Sequence, residues 1–374
     1  MTVLFWSCVA LVVFTYAGYP ACIWLLARIA PRPVAEGVME PLPLVSVVMP
    51  VHDGEAMVAA KLHNLLALDY PAERIEILVA CDGCGDATAS VARGIGGPRV
   101  RVLEFPQRRG KASCLNDAVA VARGEVLLMV DVRQRVEPAA LRALVGCLAD
   151  PAMGAVGGQL RFEDPGTGFA ASVDAYWRYE SAIRLAEARS GSVVGVSGAL
   201  YAMRRSLFRP LPAATVLDDV LVPMQVAAAG ARVGWQPAAV AWDRASDSPS
   251  RERARKVRTL AGNLQLVQLA PWLLDPRRNP LWFRFVGHKL LRLVAPWALL
   301  AMVVAAFVLA RGNGFYLACA AAALAGFALV VLAPRMPTLA GLVPVRMLVA
   351  FVHMNLFAAQ AALAFVRGRG LHLW

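Results

Sequence analysis

Residues 44–50 read Leu-Val-Ser-Val-Val-Met-Pro, 75–83 read Ile-Glu-Ile-Leu-Val-Ala-Cys-Asp-Gly, and 125–131 read Glu-Val-Leu-Leu-Met-Val-Asp. Each is a short apolar run closed by Pro or Asp, which predicts strands over 44–49, 75–80 and 125–130. A fourth strand is expected over 100–104, with helices over 58–68, 86–93 and 111–123 between them. Strands alternating with helices imply an α/β domain with a mainly parallel sheet and flanking helices. Ligands of such sheets collect at the C-terminal ends of the strands. Three of those ends are polar here: Pro50 to Glu55, Asp82 and Asp131. Each alone reads as a turn; three on one edge point to a binding site.

The rest of the chain is a different kind of sequence. Hydrophobic residues make up 58% of the 374 and charged residues 17%, against about 25% charged in a typical soluble domain. Residues 3–27, 293–310, 312–334 and 347–366 are uncharged runs, near the ~20 apolar residues that cross a bilayer. The first is too long for a signal-peptide core and has no basic region before it. The formal net charge is +12. The flanks 1–36 and 286–374 hold nine Lys/Arg and one acid, Glu36. That placement suits the face of an anionic leaflet, not nucleic acid. The positive-inside rule puts residues 37–285 and Arg335 and Arg346 on the inner side; Arg367 and Arg369 then fall outside, which implies a re-entrant last helix or a weak violation by the tail. The expected organisation is a transmembrane helix and flank over 1–36, a cytosolic domain over 37–262, interfacial helices over 263–290 and a bundle of about three helices over 291–374. Leu264 to Leu274 and Pro280 to Phe285 mix apolar and aromatic residues with Arg284. They read as helices in the interface plane or as core helices.

Several chemistries are disfavoured. Val51-His52-Asp53-Gly54-Glu55 lacks the spaced glycines of a dinucleotide fingerprint, and no phosphate-binding G-x-x-x-x-G-K-[ST] occurs. Seven scattered cysteines argue against a disulfide framework. Cys81 and Cys84 have no second pair, so a metal or redox role for them is not expected.

The order of the polar motifs resembles that of the membrane-associated family 2 glycosyltransferases, over about residues 40–290. The resemblance implies a GT-A catalytic domain and an inverting transfer. Pro50 to Glu55 resembles the loop that frames the donor nucleotide. Asp82, in Cys-Asp-Gly-Cys-Gly-Asp-Ala-Thr, resembles the acid that contacts the nucleoside. Arg109-Gly110-Lys111 with Leu115-Asn116 resembles the R-x-G-K segment, which sets Lys111 against the diphosphate. Asp131 stands at the first acid of the D-x-D that holds Mg²⁺ or Mn²⁺; Arg133 replaces the second acid. Gly195 to Ala202 resembles the acceptor-side strand, with Gly198 and Ala199 leaving room, or forms a tightly packed turn. Trp177 offers an aromatic platform to a sugar, or packs in the core.

Leu217-Asp218-Asp219-Val220 resembles the catalytic motif, with Asp218 on the acceptor side and Asp219 as base. A carboxylate beside a like charge has its pKa raised, which suits a base. Arg255 and Arg258 fit the family's Q/R-x-x-R-W, but Thr259 replaces Trp, which weakens the case for a processive synthase. The implied function is a membrane-bound transferase that moves a sugar from a nucleotide-diphosphate sugar, a UDP-sugar by resemblance, to a lipid-linked or glycan acceptor. The implied setting is a bacterial inner membrane, with the catalytic domain cytoplasmic. The alternatives are a processive polysaccharide synthase and a non-catalytic scaffold with synthase-complex partners.

Overall fold

The computed structural model describes residues 1–163, 169–244 and 249–367. An eight-stranded mixed sheet forms the centre: β1 Val45–Val51, β2 Ile75–Asp82, β3 Val100–Phe105, β4 Val126–Val130, β5 Arg135–Val136, β6 Met153–Phe162, β7 Leu200–Arg204 and β8 Arg232–Asp243. Their order is β3-β2-β1-β4-β7-β6-β8-β5. The four strands read from the sequence pair in parallel, with Val45 opposite Ile75 and Val126. β7 runs antiparallel between β4 and β6, and β8 lies parallel to β6. β1, β2 and β4 are buried along their whole length and mostly apolar because both faces are covered, whereas β3 is half-buried at the sheet edge. Val47, Ile77 and Val79 face one core and Val48, Leu78 and Ala80 the other, as a period of two dictates.

Eleven helices matter to the site. α1 spans Thr2–Ile29. α2 Glu55–Leu66, α3 Thr88–Gly96, α4 Lys111–Val121 and α5 Ala140–Leu148 follow. α6 Phe169–Arg189, α7 Asp218–Ala228 and α8 Pro249–Leu269 complete the domain. α9 Trp282–Leu309, α10 Gly314–Arg335 and α11 Val343–Val366, like α1, are long and apolar enough to cross a membrane. The boundary expected at 262/263 falls inside α8, and that at 290/291 inside α9. Leu266, Leu273, Leu281 and Phe285 are buried in the sheet's core, whereas Leu274 and Phe283 remain exposed. The segment 263–290 therefore has a core face and an outward apolar face.

The long apolar helices are bound to the domain by polar contacts. Pro20 offers no N–H to the Tyr16 carbonyl; the Tyr179 hydroxyl of α6 donates to it at 2.9 Å. The chain widens into a π turn over Phe14–Gly18, and α9 does the same over Val286–Leu290. Gly287 lies against Tyr19 so closely that a Cβ there would be 2.4 Å from the ring. His288, buried, bridges Glu187 and Glu180 of α6, at 2.8 Å to each. The Tyr19 hydroxyl donates to Glu187 at 2.5 Å.

Candidate active site

The loops after β1 and β2 are tied to each other. Gly54 N–H donates to Thr88 Oγ1 at 2.8 Å, Glu55 N–H to Asp86 at 3.0 Å, and Ala87 N–H to the Glu55 carboxylate at 3.0 Å. Asp53 takes a positive φ of 46° and accepts from Gly85 N–H at 2.8 Å. Asp82 is fully buried and accepts from Arg109 N–H at 2.7 Å and Gly110 N–H at 2.8 Å. Gly110, at φ 91°, turns the chain there into α4. Pro50 is buried within β1. Pro50, Glu55 and Asp82 thus shape the strand edge, and both Asp82 oxygens are taken by the loop that carries Lys111.

β1 and β2 also bring His52 beside Cys84, which linear spacing hid. Among the described residues, His52, Asp53 and Cys84 are a group of three possible metal ligands whose atoms lie within 4.8 Å of one another. His52 Nδ1 is 2.7 Å from the Asp82 carbonyl oxygen. This group stands on the edge loops and does not include Asp131.

The charged centre lies where α4, β4 and α7 begin or end. Lys111 Nζ is 2.9 Å from Asp131 and 3.2 Å from Asp218. Burial opposes the Lys111 charge, but Asp131, Asp218 and Asp219 hold its pKa above the ordinary lysine value. Burial, joined by Asp131 and opposed by Lys111, raises Asp218. Asp219 is pushed up to about 6, by burial first and then by Asp218, against Lys111, Lys289 and Arg184. A Cβ on Gly198 would meet Lys111 Nζ at 3.2 Å, so the small residue there makes room for the ammonium. Val196 N–H donates to the Asp219 carbonyl at 2.9 Å and fixes this loop on α7.

Arg133, at the second acid of the D-x-D, grips Asp243 at the end of β8 with two hydrogen bonds of 3.1 and 2.8 Å. Gln134 adds a third at 3.0 Å, and Asp243 is 2% exposed. The arginine therefore serves a buried acid from a strand 110 residues away. Lys61, also unforeseen, is buried and donates to the Gln134 carbonyl at 2.5 Å. Burial lowers its pKa to about 7, against the pull of Asp131. Tyr201, fully buried on β7, has a hydroxyl without a hydrogen-bond partner among the described residues. Burial and then Asp218, Asp219 and Asp131 raise its pKa. Its alternating apolar strand gave no sign of a polar role.

A cavity of ≈ 1280 Å³ opens over this centre. Lys111, Asp131, Gly198, Ala199, Asp218, Asp219, Arg255 and Arg258 all line it. Its far wall belongs to the long apolar helices: Tyr16 of α1, His288, Lys289 and Arg292 of α9, and Met347, Phe351, Met354 and Ala358 of α11. No sequence signal joined these helices to the site. Trp177 belongs to α6, but its side chain lies outside the described residues.

A mixed sheet of this order, with acids and a lysine at the strand ends, has the GT-A architecture. Residues 46–211 match the profile of the family described as Glycosyl transferase family 2. It is similar to the probable glycosyltransferase YdaM of Bacillus subtilis (strain 168), 25% identical over 61% of this chain and 57% of that one. It is also similar to an N-acetylglucosaminyltransferase of Rhizobium sp. (strain N33), 28% identical over 54% of this chain and 46% of that one. The matched regions thus span about half the length of these curated relatives. Among solved structures, the mannosyltransferase PcManGT from Pyrobaculum calidifontis, in complex with GDP-Man and Mn²⁺, superposes with a TM-score of 0.75 at 24% identity. That likeness covers 98% of this chain and 99% of that one and establishes the fold.

Proposed function

We propose that the protein is a membrane-bound inverting glycosyltransferase. It moves a sugar from a nucleotide-diphosphate sugar to a lipid-linked acceptor at the inner membrane surface, with its catalytic domain on the cytoplasmic side. The observation that carries this reading is the cavity. One continuous space joins Asp219 and Lys111 to an apolar wall of α1 and α11. A purely water-soluble acceptor has no use for that wall, whereas an amphiphile places its head at one end and its tail at the other.

Asp219 accepts the proton of the acceptor hydroxyl. The oxygen attacks the anomeric carbon as its bond to the diphosphate breaks. Lys111 and Arg258 face the negative charge that gathers on the departing nucleotide. Pro50, Glu55 and Asp82 hold the loops that frame the nucleoside, and Arg255 adds positive charge on the cavity wall. Asp131, a third exposed, fits a divalent cation, since Mg²⁺ and its like bind through one or two carboxylates plus substrate phosphates. Bound there, Mg²⁺ or Mn²⁺ neutralises phosphate charge. The motif resemblance favours a UDP-sugar.

The test is nucleotide release from a panel of UDP-sugars and GDP-mannose, in nanodiscs containing bacterial lipids, with and without Mn²⁺. Release from one donor that is lost in Asp219→Asn supports the reading. Release unchanged by that substitution overturns the role of Asp219. Failure to bind any nucleotide leaves only a scaffold.

A further inference from the structure

The loops that leave β1 and β2 bring together a group of side chains that sugar transfer does not use. Val51 stands opposite Cys81 in the parallel pairing, so the chain beyond each strand runs side by side. His52 and Asp53 lie on one loop and Cys84 on the other, and each places a ligand atom within 4.8 Å of the other two. The three atoms are a nitrogen, a carboxylate oxygen and a sulfur, and Asp131 is not among their owners.

Two of these side chains are already oriented by backbone groups. His52 Nδ1 is 2.7 Å from the Asp82 carbonyl oxygen. A carbonyl only accepts, so Nδ1 carries the ring proton and Nε2 presents a lone pair. That lone pair lies 3.4 Å from one Asp53 oxygen. The other Asp53 oxygen accepts from Gly85 N–H at 2.8 Å. Two acceptors thus face each other across a gap that calls for a cation or a second proton. Cys84 decides between them. Its Sγ, 3.6 Å from the Val51 carbonyl oxygen, closes the third side. A proton between nitrogen and oxygen leaves the sulfur idle, whereas a metal ion engages all three.

The dimensions agree. Zn²⁺ bonds of ~2.0–2.1 Å to N and O and ~2.3 Å to S put the ligand atoms of a tetrahedron about 3.3–3.6 Å apart. His52 and Asp53 already have that spacing, and Cys84 needs a shift of at most about 1 Å to reach it. A carbonyl behind the histidine and an amide behind the carboxylate are the outer partners that metal sites employ. Asp53 is half exposed and His52 lines the cavity, so an ion has a path from water.

The geometry points to a binding site for a borderline divalent cation, Zn²⁺ by its mixed donors, held by His52, Asp53 and Cys84 and separate from the position at Asp131. The fourth corner of the tetrahedron is left to water. The ion staples the loop after β1 to the loop after β2. The site is defined by these side chains and does not depend on the transferase reading, which assigns the same loops to the donor nucleoside.

The test uses the full chain without a polyhistidine tag, in phosphatidylcholine nanodiscs near neutral pH and without nucleotide. Zn²⁺ binding is measured by competition with a chromophoric chelator, and Co²⁺ binding by absorbance. One Zn²⁺ per chain should bind. Cys84→Ser and His52→Gln should each weaken binding at least about tenfold. Cys22→Ser, which changes an exposed cysteine on α1, should leave it unchanged. Co²⁺ should show a thiolate charge-transfer band that Cys84→Ser abolishes. Zn²⁺ should also raise the melting temperature of wild type but not of Cys84→Ser. Melting without metal identifies a variant that fails to fold, and Cys84→Ser, a one-atom change, keeps the test decisive. No Zn²⁺ bound to wild type overturns the inference, since the His52–Asp53 pair then holds a proton only. Binding that survives Cys84→Ser, or that Mg²⁺ displaces at equal concentration, overturns it too, because the ion then sits on oxygen ligands elsewhere. Zn²⁺ binding of the expected kind without nucleotide release from any donor would sink the transferase reading alone.

Discussion

Asp219 makes the sharpest prediction, because its environment sets both a rate and a pH. A base must be ionised to accept a proton, and its pKa is pushed up to about 6 by burial and by Asp218. The sign follows directly: activity rises as pH rises through about 6 and falls on the acid side. At pH 5, one unit below, about a tenth of the enzyme carries the ionised base; at pH 7 about nine-tenths does. Nucleotide release at low donor concentration, followed from pH 5 to 8, should show one acid limb of that shape. Asp218→Asn removes the like charge and leaves Lys111 less neutralised. Both effects lower the Asp219 pKa, so the limb should shift to more acid pH. Asp219→Asn should cost about 10²- to 10⁴-fold in turnover, the usual worth of a positioned base. An acid limb that stays in place in Asp218→Asn, or an Asp219→Asn enzyme within threefold of wild type, would refute the assignment.

Three further perturbations probe the frame around that base. Arg133→Asp restores the sequence of a D-x-D but strips the buried Asp243 of its two-pronged partner. A loss of about 1–2 kcal/mol is expected, because Gln134 still bonds Asp243 and Arg133 is half exposed. Thermal melting with and without Mn²⁺ checks this, and a variant that is both more stable and more active would contradict it. Asp82→Ala leaves the Arg109 and Gly110 N–H groups without their acceptor, so UDP affinity by calorimetry should fall several-fold along with stability. Unchanged affinity would mean that the Lys111 loop holds its shape without Asp82. Gly287→Ala pushes a methyl to 2.4 Å from the Tyr19 ring and should cost about 1–3 kcal/mol by overpacking. A melting temperature equal to wild type would show that α1 and α9 can part cheaply.

The sequence announces the parallel half of the sheet because β1, β2 and β4 are buried on both faces and stay nearly continuous in apolar residues, while the half-buried edge strand β3 alternates Val, Arg, Val. The expected runs 44–49, 75–80, 100–104 and 125–130 became Val45–Val51, Ile75–Asp82, Val100–Phe105 and Val126–Val130. The second half is obscured by its own packing. β6 carries Gly157 and Gly158, where a Cβ would fall within 2.8 Å of Val196 and 2.7 Å of Leu200, so close approach replaces the apolar pattern. β8 slips register against β6 between Gly158 and Gln159, which breaks the period of two. The membrane helices show the same contrast. Runs free of charge were readable at 312–334 and 347–366, matching Gly314–Arg335 and Val343–Val366. The second helix was expected to start at 293, yet it begins at Trp282. Lys289 and Arg292 interrupt its hydropathy, but they face Glu180 and not lipid. A charge ends an apolar run in sequence; in the fold it ends a helix only if nothing across the interface receives it. The partner here lies 112 residues away from Arg292 on α6, and such a partner is visible only once the chain has folded. The same holds for Arg133 and Asp243. Lys111, Asp131, Asp218 and Asp219 were legible because local strand and helix ends place them. The residues that join this centre to the long apolar helices were not, because each is positioned by a distant charge. The part of the site most open to misreading from sequence is therefore the cavity wall built from the long apolar helices.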